Sequence, residues 1–132
     1  MSSGKSCKVL VFGNPMVRKD SLPLRLIGKL RLAFPDIEFK EFDPSENLEA
    51  EGRELNIIDA VEGIEKVTLI TDIGSIRAQK VYSMHDFDLG YNLKLLKKLG
   101  GLDSVRIFGV PMKISEKEAL GQLTELISTS LL

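Results

Sequence analysis

Tryptophan is absent from this 132-residue chain, tyrosine occurs twice, and cysteine and histidine occur once each. A single cysteine, Cys7, forms no internal disulfide, so stability has to come from packing, and a lone thiol suits a reducing compartment. There is no excess of basic charge: eighteen Lys and Arg stand against nineteen Asp and Glu, a net charge of -1. Without a sustained basic stripe to hold a phosphate backbone, nucleic acid is not the expected partner. No apolar run approaches the roughly 20 residues that cross a bilayer, and the opening "MSSGKSCK" lacks the apolar segment of a secretory signal. The expected location is cytoplasmic, with no membrane span and with residues 1–6 as a flexible leader.

The chain is 43% apolar and 28% charged, which fits one domain over residues 1–132 with one core, expected as a monomer. "CKVLVF" at 7–12 is a buried strand stopped by Gly13-Asn14-Pro15. Leu22, Leu26, Ile27, Leu30 and Phe34 recur at helical spacing, with Pro23 in the first turn and Pro35 as the stop. "IEFKEF" alternates cleanly and reads as a strand near an edge, ended by Asp43-Pro44. Residues 45–54 offer about two turns of poor helix. "LNIIDA" at 55–60, "KVTLITDI" at 66–73 and "VRIFGV" at 105–110 are further strands. "DLGYNLKLLKKL" at 88–99 is a helix ended by Gly100-Gly101, and a last helix starts at a Ser-x-x-Glu box at Ser115 and runs to about Ile127. Strands alternating with helices imply a three-layer α/β/α sandwich with a mostly parallel central sheet.

Such sheets bind ligands at the carboxyl ends of their strands, near the point where strand order reverses. The turn from Gly13 to Asp20 and the acid Asp59 after "LNII" both fall on that rim. "SSGKS" at 2–6 imitates a phosphate-binding loop but precedes the first strand and lacks the leading glycine. The Gly13 turn has one glycine where a dinucleotide site wants three, and no Gly-x-Ser-x-Gly elbow occurs. Cys7 opens its strand, on the order of 20 Å from the rim, so it is a small packing residue rather than a nucleophile for His85.

Taken singly, Asp20 is a helix N-terminal acid, and His85 a loop residue. Asp59, closing an apolar strand, needs a partner, water or a metal. Two carboxylates and an imidazole supply three ligands for a divalent transition metal and leave positions open; nickel, zinc and cobalt suit such donors. From local chemistry alone, Asp72 or Asp86 competes with Asp59.

Three separated stretches then resemble one family, the hydrogenase maturation proteases. "FGNPMVRKD" is similar to its Gly-Asn turn leading to a first metal-binding acid, at Asp20. "LNIIDAVEG" resembles the strand ending in Ile-Asp-Ala, with a second ligand at Asp59. "YSMHDFDLGYNLKLLKKLG" followed by "SVRIFGVPM" resembles the histidine-plus-leucine helix and next strand, with a third ligand at His85. The resemblance implies an endopeptidase that trims the C-terminal tail of a nickel-loaded hydrogenase large-subunit precursor. Asp20, Asp59 and His85 would be its metal-reading and catalytic residues, with Gly13, Asn14 and Asp43 against the substrate. The nickel would arrive with the substrate, and zinc or cadmium could stand in for it in crystals. The chain departs from the family at Val11, where a glycine is usual, and at Lys19. It departs again over Asp43-Pro44-Ser45-Glu46, where the family carries Asp-Gly-Gly-Thr in a loop associated with substrate recognition. The altered loop and Val11 leave one alternative, a non-catalytic adaptor for a metalloenzyme, and the Gly13 turn leaves another, a small nucleotide-binding regulator.

Overall fold

The computed structural model describes residues 7–12, 21–42, 48–71, 82–83, 98 and 100–132. Strand β1 (Cys7–Val11) is the branched, apolar run that the sequence marks, and it stops short of the Gly13-Asn14-Pro15 turn. Helix α1 (Leu22–Ala33) buries Leu22, Pro23, Leu26, Ile27 and Leu30; Pro23 sits in the first turn, where a missing amide hydrogen is harmless, and the Phe34 amide closes the last turn on the Leu30 carbonyl at 2.9 Å. Strand β2 (Ile37–Glu41) follows, burying Ile37 and Phe39 and exposing Glu38 and Glu41. The described part of the acidic stretch after it forms a 3-10 turn over Leu48–Glu51, ended by Gly52 at φ +114°, a conformation that favours glycine.

Strand β3 (Glu54–Glu62) is the longest, followed by short β4 (Thr68–Ile70), the two-residue β5 (Tyr82–Ser83), β6 (Ser104–Pro111) and helix α2 (Glu116–Leu131). The sheet order is β2-β1-β3-β6-β4, with β5 paired to β3. Strands β2, β1, β3 and β6 are mutually parallel, while β4 and β5 run antiparallel to their neighbours. The fold is α/β with a mostly parallel sheet, as expected. Of the predicted 88–99 helix, only Lys98 lies among the described residues; it is helical, and Gly100 beyond it has φ +79°.

The single core expected from composition is divided by the sheet into two layers. Val9, Val11, Ile58 and Phe108 face α1 and α2, meeting Leu26 and Leu123. Leu10, Phe12, Ile57, Val61 and Ile107 face the other way, and Leu48 of the 3-10 turn joins them. At about 25 cal/mol per Å² of buried apolar surface, side chains of this size supply roughly 1.5–3 kcal/mol each.

Candidate functional site

The sheet order reverses between β1 and β3: from β1 the chain goes to β2 on one flank, then returns to β3 on the other. In open α/β sheets this switch point opens the crevice where ligands bind. Asp59 stands there. Alternation along β3 sends Leu55, Ile57 and Val61 to one face, and Asp59 shares their parity. Its side chain is 1% exposed.

Asp59 was expected to close its strand, but β3 runs three residues further, to Glu62. The pairing explains the difference: β6 accompanies β3 as far as Val61, whereas β1 pairs only through Val11↔Ile58, with a last bond from the Phe12 amide to the Ile58 carbonyl at 2.8 Å. The rim is therefore a step in the sheet, and Asp59 lies where β1 gives out. Beyond it, β5 pairs antiparallel through Val61↔Ser83 and Glu62↔Tyr82. Since β6 holds the opposite edge of β3 at Val61, β5 occupies the edge that β1 vacates.

A transverse row crosses the sheet at this level. Val11↔Glu41 and Val11↔Ile58, taken one residue on, align Phe42, Phe12 and Asp59, and the pairs Asp59↔Gly109 and Thr68↔Gly109 complete it. Phe12 and Phe42 stack, with centroids 4.9 Å apart and planes at 17°, and both are buried. On its other side Asp59 faces a residue without a side chain. A Cβ at Gly109 would meet Val61 Cγ2 at 3.1 Å and Ile64 Cδ1 at 3.3 Å, so those apolar groups lean into the space. A carboxylate between stacked rings and a filled glycine notch sits in a low-dielectric setting, where ions and hydrogen bonds act strongly.

Of the other sequence-predicted residues, Gly13, Asn14, Asp20, Asp43 and His85, and the rivals Asp72 and Asp86, lie outside the described residues. Their described neighbours are Phe12 before Gly13, Ser21 after Asp20, Phe42 before Asp43, and Ser83 two residues before His85. The helix N-cap is Ser21, the residue after Asp20. Ser21 makes no side-chain cap bond; its Oγ accepts from Arg25 Nη1. Among the described residues no three His, Cys, Asp or Glu side chains are grouped to hold a metal ion.

Cys7 lies at the opposite end of β1, half-buried, with Asn56 Nδ2 at 3.8 Å from its Sγ. Burial pushes its thiol up, partly opposed by the charge of Arg106, the reverse of what an activated nucleophile needs. Sequence reasoning missed the Phe12–Phe42 stack and the Gly109 notch. The signal for the first was present, since each aromatic is the last residue before its strand's turn. It also missed Glu51, 8% exposed, whose two carboxylate oxygens accept from Lys8 Nζ at 2.7 Å and Lys40 Nζ at 2.9 Å, tying the 3-10 turn to β1 and β2. Lys8 hydrogen bonding, foremost, and that of Lys40 hold its carboxyl below the usual range against the opposing effect of burial.

No family model matches the chain, and comparison with curated proteins finds no match. Solved structures do match. The crystal structure of the hydrogenase 3 maturation protease is similar with a TM-score of 0.63 at 21% identity, over 93% of this chain and 90% of that one. The fold is that of a hydrogenase maturation protease. A solution structure of the endopeptidase HycI from Escherichia coli shares the maturation-protease fold at a TM-score of 0.56 and 21% identity, over 90% of this chain and 87% of its own. The crystal structure of an uncharacterized protein from Wolinella succinogenes is also similar to this chain, at a TM-score of 0.59 and 17% identity, over 95% of this chain and 99% of its own. At these identities the likeness is one of architecture, and chemistry has to be argued from the site.

Proposed function

We propose that the protein is an endopeptidase that removes a C-terminal tail from a nickel-loaded hydrogenase large-subunit precursor, reading the nickel carried by that substrate through Asp20, Asp59 and His85. One observation carries the reading: a carboxylate buried to 1% exposure at the switch point of a sheet that shares the fold of solved maturation proteases. Burying a carboxyl group is costly, and packing alone does not call for an acid at this point of β3, among isoleucine and valine. Further support comes from the ends of the described segments. The chain leaves for Gly13 from Phe12, beside Asp59, and β5 closes two residues before His85, against the end of β3.

In this reading the substrate's nickel supplies Lewis-acid polarisation of a carbonyl or a water. Asp59 contributes an oxygen donor positioned by the pairing of β3 with β6 at Asp59↔Gly109, which lowers the cost of orienting the tail. The Phe12–Phe42 stack restricts water beside it. The test is cleavage of a nickel-loaded precursor, followed as loss of tail mass. Asp59→Ala and His85→Ala are expected to lower the rate by at least 10²-fold while retaining the folded circular-dichroism spectrum. Binding of the precursor without any release of tail would instead make the protein an adaptor.

A further inference from the structure

We propose that the edge of β2 is a docking strand for an extended segment of the peptide substrate that carries one carboxylate, with Arg31 as the residue that guards the edge and reads that carboxylate. The inference rests on the peptidase reading for the identity of its occupant. Among the described residues, β2 ends the sheet on one flank. The Phe42 amide donates to the Val11 carbonyl at 2.9 Å, so even-numbered main-chain groups of this segment face β1. By the alternation of a strand, those of Ile37, Phe39 and Glu41 face away from the sheet.

Two of these outward groups are already engaged: the Ile37 amide donates to the Phe34 carbonyl at 3.1 Å, and Arg31 Nη2 donates to the Phe39 carbonyl at 2.8 Å. The amides of Phe39 and Glu41 and the carbonyls of Ile37 and Glu41 remain turned toward a groove of about 450 Å³, whose charged lining residues are Arg31, Glu38, Lys40 and Glu41. Alternating donors and acceptors along an edge are what an extended peptide backbone pairs with. Natural edges of this kind are blunted against pairing, and here the blunting device is one exposed side chain.

The charges of the groove select the occupant: Lys40 is tied to Glu51 and Glu38 and Glu41 are exposed acids, so Arg31 welcomes a single carboxylate and the glutamates disfavour a second. Arg31 forms no ion pair among the described residues. A carboxylate on an incoming strand offers it a stronger, charge-assisted partner than the carbonyl it now holds, and its departure frees the Phe39 carbonyl for a peptide amide. Two copies of this chain paired edge to edge about Phe39 would instead set one Arg31 against the other, like charge against like. The edge also leads to the site: Phe42, one residue past β2, lies in the row with Phe12 and Asp59. A strand added outside β2 lies three spacings from β3, about 14 Å, which four to five extended residues span. The docked segment is therefore separated from the cleaved bond by at least about four residues.

Glu41→Pro tests the edge. It removes an outward amide hydrogen, leaves the β1 ladder intact, and places proline where edge strands tolerate it. We expect an unchanged Tm and kcat with KM for the nickel-loaded precursor raised about tenfold; an unchanged KM overturns the proposal. Binding is read separately from cleavage by hydrogen exchange on the full-length wild-type chain mixed with the same precursor. Slowed exchange at the Phe39 and Glu41 amides supports docking whether or not tail is released. Unslowed exchange at both amides overturns the docking strand and leaves the peptidase reading to the cleavage assay. In Arg31→Ala, dimerisation without slowed exchange in the precursor mixture would assign the edge to self-association and likewise overturn it.

Discussion

At the residue scale, Gly109 and Glu51 show how closely the row around Asp59 and the face it belongs to are built. Gly109→Ala places a Cβ at 3.1 Å from Val61 Cγ2 and 3.5 Å from the Thr68 carbonyl. The carbonyl is backbone, so relief has to come from Val61 and Ile64, and overpacking of this kind costs about 1–3 kcal/mol. Chemical denaturation should show a lowered midpoint at unchanged slope. For Glu51 the folded-state pKa is depressed by the Lys8 and Lys40 hydrogen bonds, so the sign is that of a carboxylate favoured in its charged form. Its contribution is present above the unfolded value, near 4.3, and is lost as pH falls through the lower folded value. Glu51→Gln is therefore destabilised at pH 7, and its gap to the wild type should narrow progressively in urea titrations taken below about pH 4.5. A gap independent of pH would contradict the ion-pair account.

At the element scale, the end of the chain was the most legible. The Ser115 box forms as read: its Oγ accepts from the Glu118 amide at 3.1 Å and donates to the Glu118 carboxylate at 3.3 Å. Ser115→Ala should cost about 1 kcal/mol, seen as a lower Tm in a thermal melt. The helix runs to Leu131 rather than Ile127 because its tail, Ser-Thr-Ser-Leu, contains neither glycine nor proline to stop it. Strands β1, β2 and β6 were legible from branched runs and alternation. Among the described residues of the predicted 66–73 strand only Thr68–Ile70 are strand, and among those of the predicted 45–54 helix only Leu48–Glu51 are helical, as a 3-10 turn. Both are short elements in which local propensity is weak and tertiary contacts decide the length. What could not be read was the step in the sheet at Asp59, since a strand's end relative to its neighbours depends on pairing, not on its own residues. The same limit hid the Gly109 notch, because Gly109 and Val61 are close only through the β3–β6 register.

At the scale of the whole molecule, the strand order β2-β1-β3-β6-β4 makes one switch point, and the buried acid that sequence reasoning chose stands in it. Its choice over Asp72 and Asp86 came from a resemblance in motif order, and the fold agrees with that resemblance across 93% of the chain. No helix among the described residues is long and apolar enough to cross a membrane. The architecture thus couples two features of one flank: an edge at β2 and, two strands inward, a buried carboxylate at the rim. The central claim is that Asp59 acts on nickel carried by the substrate. The most direct measurement is intact-mass detection of the released tail, from nickel-loaded and nickel-free precursor, with wild-type protein and Asp59→Asn. The account predicts release from the loaded precursor by the wild type alone. Equal release from the nickel-free precursor, or undiminished release by a folded Asp59→Asn, would contradict it.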